Sequence, residues 1–164
     1  MKSKAVRSAL FLRNVVFGVE DGLVSTVGLL SGIAIAGVPR ETIFLTGVIL
    51  IFVEAFSMAV GSFLSEASVE EMDGGEDDTR GSVMAGVIMF ASYFVAGIIP
   101  LSPYLVFNVE QAFAVSVAGS VFALFILGYW SGRKTKTARQ KAVRMALVGG
   151  LAILVGVFAG SLLT

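Results

Sequence analysis

Five apolar stretches, each close to the roughly 20 residues a helix needs to cross a hydrocarbon core, leave this chain little choice of fold. They run about 15–38, 42–65, 81–101, 109–130 and 142–163. Pro39-Arg40-Glu41 ends the first, an acidic run separates the second from the third, and Pro100 and Pro103 close the third. The basic run RKTKTARQK divides the fourth from the fifth. With 56% of its 164 residues hydrophobic, the chain has too little polar surface for a water-soluble domain of this size. The expected fold class is all-α integral membrane, a single membrane domain over 1–164 with five transmembrane helices. No repeat is evident, and an odd number of spans excludes two equal inverted halves.

Lys and Arg are segregated. With the N-terminus in the cytoplasm, Lys2, Lys4, Arg7, Arg13, Arg80, Arg133, Lys134, Lys136, Arg139, Lys141 and Arg144 fall inside and Arg40 alone falls outside. Eleven against one predicts a cytoplasmic N-terminus and an external C-terminus. A cleaved signal peptide is the competing reading of Lys2, Lys4 and Arg7 ahead of an apolar run. That run is too long, carries two acids and precedes four more spans. The expected location is an integral membrane protein of a prokaryotic cytoplasmic membrane.

Cys and His are absent. Disulfides, thiolate or imidazole metal sites and Ser-His or Cys-His nucleophiles are therefore excluded. An enzyme is not expected, nor a resident cofactor. Metal or proton chemistry must run on carboxylates, thioethers, hydroxyls and carbonyls.

The first span carries Glu20 and Asp21 side by side. Adjacent helix residues point about 100° apart, so the two cannot share a face. Stepping by four and three from Asp21 collects Asn14, Gly18, Ser25, Gly28 and Gly32, a small and polar seam that lets membrane helices approach closely. Glu20 lies instead among Phe17, Leu23, Val24 and Val27 and is placed to reach the cytoplasmic interface. Asp21 is accordingly the stronger candidate. The plainer alternative is that both acids cap a helix starting near Gly22, but such a helix is too short to span before Pro39.

In the second span Gly47, Glu54, Met58, Gly61 and Ser65 share a face, with Ser57 beside them. Glu54 sits near the middle of the span, where a charged acid costs on the order of 2.5–3.5 kcal/mol. Such residues mark ion or proton routes, the alternative being a protonated Glu54 used for packing. Met58, one turn on, is a soft donor beside a carboxylate, a pairing that suits a transition metal. In the third span Met84, Met89 and Tyr93 are placed to approach the same cavity, with core packing the preferred reading, and Gly156 with Gly160 in the fifth is a weak pairing motif.

Residues 66–80 are expected to form a short acidic cytoplasmic loop, in which Glu66, Glu70, Glu71, Asp73, Glu76, Asp77 and Asp78 face one Arg. Its field attracts cations, and Met72 among the acids adds a soft donor. A merely solvated loop is the alternative, since the spacing is not that of an EF-hand. The basic loop 133–141 is explained by topology and anionic lipid headgroups, without nucleic acid as a partner.

Taken together, VEDGLVSTVGLLSGIAIAG, EAFSMAVGSFLSEAS and GIIPLSPYLV resemble the vacuolar iron transporter family over nearly the whole chain, with DGL and SM-x-x-G in the first two spans. The resemblance implies a homodimer whose first helices line a path between protomers. It also implies export of Fe²⁺, and often Mn²⁺, from the cytoplasm in exchange for protons. Asp21 then matches the family's first-helix metal and proton carboxylate and Met58 its second-helix methionine. Two departures stand out. The family's Gly-Glu-Tyr reads Gly61-Ser62-Phe63 here, leaving Glu54 or Glu66 to replace that acid. The Glu- and Met-rich cytoplasmic domain between spans two and three is reduced to the acidic loop.

The expected metal-handling residues are thus Asp21, Glu54 and Met58, then Glu20, Ser25, Ser57 and Glu66, and more weakly Glu70, Glu71, Met72 and Asp73. The metal is transported substrate, the partners are protons, the bilayer and a second copy. The competing functions are a few-span small-cation or multidrug exporter, for which an aromatic cage is expected, and a non-transporting structural subunit, which has no use for Glu54.

Overall fold

The computed structural model describes residues 4–72, 79–133 and 137–162. Among them every regular element is a helix: α1 (Lys4–Ile35), α2 (Arg40–Met72), α3 (Thr79–Leu101), the short α4 (Pro103–Val106), α5 (Val109–Gly132) and α6 (Ala138–Ser161). All but α4 are long and apolar enough to cross a membrane, so the five expected spans are present.

The helix ends follow local chemistry. At the end of α1, Gly37 takes a positive φ of 74°. Its N–H donates to the Ala34 carbonyl at 3.2 Å, and the Val38 N–H donates to Ile33 at 3.3 Å. This paired closure needs the left-handed conformation glycine adopts without penalty, and Pro39 then prevents the helix from resuming. Pro100 removes an N–H from α3, which stops one residue later. The Ser116 hydroxyl of α5 donates to the Pro100 carbonyl at 2.7 Å. Asn108 caps α5, its side chain accepting from the Gln111 N–H at 2.9 Å.

Helix length departs from the expected boundaries at the charged ends. α1 begins well before residue 15, so Glu20 and Asp21 lie inside a continuous helix and the capping alternative is overturned. α2 continues to Met72, so the first part of the expected 66–80 loop is helical. Hydropathy marks where the hydrocarbon ends, whereas backbone hydrogen bonding carries a helix on into water. The 33 residues of α2 rise about 50 Å at 1.5 Å each, beyond a hydrocarbon core of about 30 Å.

α1 is the centre of the bundle, packed mainly on α3 and α6 and less on α2 and α5. Its glycines set those contacts. Gly22 lies against the backbone of Tyr93, where an added Cβ would sit 2.5 Å from the carbonyl oxygen, and Gly18 lies against Ser92 and Met89. Further along, Gly28 and Gly32 meet Ala152, Gly156 and Gly160 backbone to backbone. The Gly156/Gly160 motif is therefore spent within the chain. The seam expected to run along one face of α1 is divided, its first half covered by α3 and its second by α6.

Candidate functional site

Half-way along the bundle α1, α2 and α3 bring together polar groups the sequence scatters over some 70 positions. Asp21 of α1 and Glu54 of α2 are half-buried and close enough for their charges to interact. The Ser25 hydroxyl, one turn beyond Asp21, donates to the Asp21 carbonyl at 2.7 Å and pairs with the hydroxyl of Tyr93 from α3. Tyr93 is 0% exposed and within electrostatic reach of both carboxylates. Next to Ser25, the fully buried Thr26 hydroxyl has no hydrogen-bond partner.

Met58 follows Glu54 by one turn and is half-buried, while Ser57 and Gly61 are exposed. Nothing lies within 4 Å of where a Cβ on Gly61 would be. The face of α2 that carries these residues is thus covered at Gly47, half-covered at Glu54 and Met58, and left open by the rest of the chain at Gly61 and Ser65. Among the described residues no three or more His, Cys, Asp or Glu side chains converge, so one chain offers a carboxylate pair rather than a closed metal cage.

Glu20 points elsewhere. It lines a crevice of about 640 Å³ with Gln140, Lys141, Arg144 and Met145 of α6 and with Thr137 just before that helix. The helical phase that separates it from Asp21 is therefore realised in the fold, and it stands apart from the carboxylate pair.

The acidic segment is split as well. Glu66 and Glu70, one turn apart on α2, are 7% and 8% exposed. They line a cavity of about 520 Å³ with Asn14 of α1 and Arg80 and Met84 of α3. The Ser82 hydroxyl donates to Glu70 at 3.0 Å, and the Asn14 amide contacts the Ala85 carbonyl at 3.5 Å. Glu71 and Met72 are exposed on the other face, Met72 at 87%. Asp73 lies outside the described residues. A solvated acidic loop is thus replaced, over its first seven residues, by a helix with one inward-facing carboxylate edge.

The profile of the VIT family matches residues 12–76 and 69–161. The chain belongs to the VIT family. That VIT match comes in two stretches meeting around residues 69–76, where α2 ends. The chain is 24% identical to vacuolar iron transporter 1 of Tulipa gesneriana, over 86% of this chain and 82% of that protein. It is 28% identical to vacuolar iron transporter homolog 4 of Arabidopsis thaliana, over 88% and 79%. The tulip alignment runs over 203 residues although the present chain has 164, consistent with a short VIT member. These relatives are named as transporters rather than enzymes, in agreement with a chain that has neither Cys nor His.

Sequence reasoning left Tyr93 to core packing, and it is indeed buried, but the bond to Ser25 was not foreseen and Thr26 was not singled out. The signal was available. Ser82, Gly86, Met89, Tyr93, Gly97 and Pro100 recur at steps of three and four along α3, and all are buried. The stepping that picked out Asp21 picks out Tyr93 when applied to α3.

Proposed function

We propose that this protein carries a divalent transition metal, Fe²⁺ first and Mn²⁺ also, out of the cytoplasm in exchange for protons, working as a homodimer. The observation that carries the reading is that Asp21 of α1 and Glu54 of α2 are both half-buried and within reach of each other's charge, beside the exposed Ser57, Gly61 and Ser65 of α2. Two intramembrane carboxylates near one another are costly unless a cation or protons compensate them. Metal and proton are thus alternative occupants of one site. Proton arrival neutralises the carboxylates and releases the metal, and proton departure restores the site.

The second copy supplies what one chain lacks. Ser57, Gly61 and Ser65 present polar and small groups where lipid gives neither hydrogen bonds nor close packing. Covering that stripe with the same stripe of a partner satisfies both needs, and it doubles the carboxylates and the Met58 thioethers around the path. The Glu66/Glu70 cavity serves as the cytoplasmic approach, its field raising the local cation concentration. The Lys and Arg distribution supports the inward orientation of that end. Names of the plant relatives support iron as the first metal to test.

The test is reconstitution in liposomes with an imposed pH gradient, following Fe²⁺ or Mn²⁺ uptake with a quenched internal dye. Uptake above the empty-vesicle rate that collapses in Asp21→Ala supports the reading. Uptake at the empty-vesicle rate, or unchanged in Asp21→Ala, sinks it.

A further inference from the structure

Tyr93 has a feature that packing alone leaves unexplained. A fully buried phenol in a membrane bundle normally finds a local backbone acceptor or is replaced by Phe. This one crosses from α3 to α1 and ends on Ser25. The direction of the bond follows from proton counting. Ser25 has one O–H, which it gives to the Asp21 carbonyl, so the Tyr93 O–H donates to the Ser25 oxygen. The backbone of the same tyrosine abuts Gly22, the residue after Asp21. Tyr93 therefore grips α1 at two points, one on either side of the turn that starts at Asp21.

Two contacts on one turn fix both the rotation and the axial position of a helix. For α1 that sets the direction in which Asp21 leaves the backbone. On α3, Gly97 lies one turn after Tyr93 and against Ile51 of α2, one turn before Glu54, so Tyr93 stands at the level of both carboxylate-bearing turns. Thr26 adds an independent observation. Its hydroxyl is fully buried without a partner and sits against Gly97, where an added Cβ would be 3.2 Å from it. Gly97 lies against Ile51 of α2 as well, so α1, α2 and α3 come together at this one level.

We propose that Tyr93 is a positioning residue that holds Asp21 at a set distance from Glu54 and thereby makes the site selective for small divalent ions. The inference rests on the transport reading above. A carboxylate pair held at fixed spacing favours an ion of matching radius and ligand geometry, whereas a slack pair adapts to larger ions such as Ca²⁺, which accepts many and variable oxygen ligands. The strap acts through Asp21, so its loss alters affinity and selectivity rather than abolishing movement.

The experiment uses the full chain in liposomes, with Mn²⁺ and Ca²⁺ as probes, and compares Tyr93→Phe with Tyr104→Phe. Tyr104 is the internal control: it is equally buried, its hydroxyl, unlike that of Tyr93, has no hydrogen-bond partner, and it lies in the apolar cluster of Leu30, Ile43 and Leu101. Expected for Tyr93→Phe is a KM for Mn²⁺ raised about fivefold, the effect of one lost hydrogen bond. Its kcat should stay within about twofold, with a narrowed preference for Mn²⁺ over Ca²⁺. Tyr104→Phe should match the parent. Ser25→Ala, which removes the acceptor and leaves the ring packing intact, should reproduce the KM change, and the double variant should add nothing further. An unchanged KM and selectivity in Tyr93→Phe or in Ser25→Ala, or equal losses in both tyrosine variants, overturns the proposal. A parent that moves no metal overturns the transport reading and this inference with it, an outcome distinct from an active parent with an unaffected Tyr93→Phe.

Discussion

Gly32 of α1 and Gly156 of α6 meet backbone to backbone, so closely that a Cβ on Gly32 would stand 2.6 Å from the Gly156 carbonyl oxygen. Neither atom belongs to a flexible side chain that can swing away, so a methyl group here must push the helices apart. Gly32→Ala is expected to destabilise the protein by about 1–3 kcal/mol, read as a lower melting temperature in detergent. Gly119→Ala, with open space around its Cβ, should hold or raise that temperature, since alanine is the better helix former.

Consecutive acids on α1 should behave differently. Glu20 faces the α6 crevice with Lys141 and Arg144, and Asp21 lies within reach of the charge of Glu54. Asp21→Asn is expected to cut metal uptake at least about tenfold, the loss of roughly 1.4 kcal/mol or more of binding. Glu20→Gln should keep the greater part of it. Matching losses in the two variants would contradict the division of α1 into two faces.

Met58→Leu conserves volume and so leaves folding nearly intact, but it replaces a soft sulfur with carbon. Uptake of Fe²⁺ should weaken by up to about tenfold, more than that of a hard ion such as Mg²⁺. Competition between the two ions in the vesicle assay reads this directly. A uniform change for both would reduce Met58 to packing.

The natural absence of cysteine makes the proposed dimer simple to probe. Single cysteines at Ser57 or Gly61, on the uncovered face of α2, should cross-link two copies under oxidation, because a disulfide requires Cα atoms within about 7 Å. Val155→Cys, exposed on α6, should not. The reverse pattern would move the interface to α6.

Much of this was legible in the residues. Apolar run length sets five spans because a bilayer of fixed thickness offers a helix few alternatives. Helical phase separated Glu20 from Asp21 and put Glu54 with Met58, since side-chain direction along a helix is a local property. Where the reading fell short, the missing quantity was a neighbour. The seam of Gly18, Gly28 and Gly32 was visible, yet nothing in it says that α3 covers one half and α6 the other. The same holds for Gly156 and Gly160, whose partner is α1 of the same chain. Glu66 and Glu70 were expected on a loop, cation-attracting or merely solvated, because an acidic run ordinarily lies in water. They are buried because α2 continues past the apolar segment and α1 and α3 reach the same height.

The sequence by itself determined how many helices cross the membrane, which residues share a stripe and which chemistries are impossible. Those follow from hydrocarbon thickness, from 3.6 residues per turn and from the absence of imidazole and thiol. Tertiary structure alone decided which stripes meet, that Tyr93 of α3 reaches Ser25 and that the half-buried Asp21 and Glu54 lie within reach of each other's charge. Contacts between helices depend on backbone approach at a few glycines, and a one-dimensional pattern gives the shape of each face but not the face opposite.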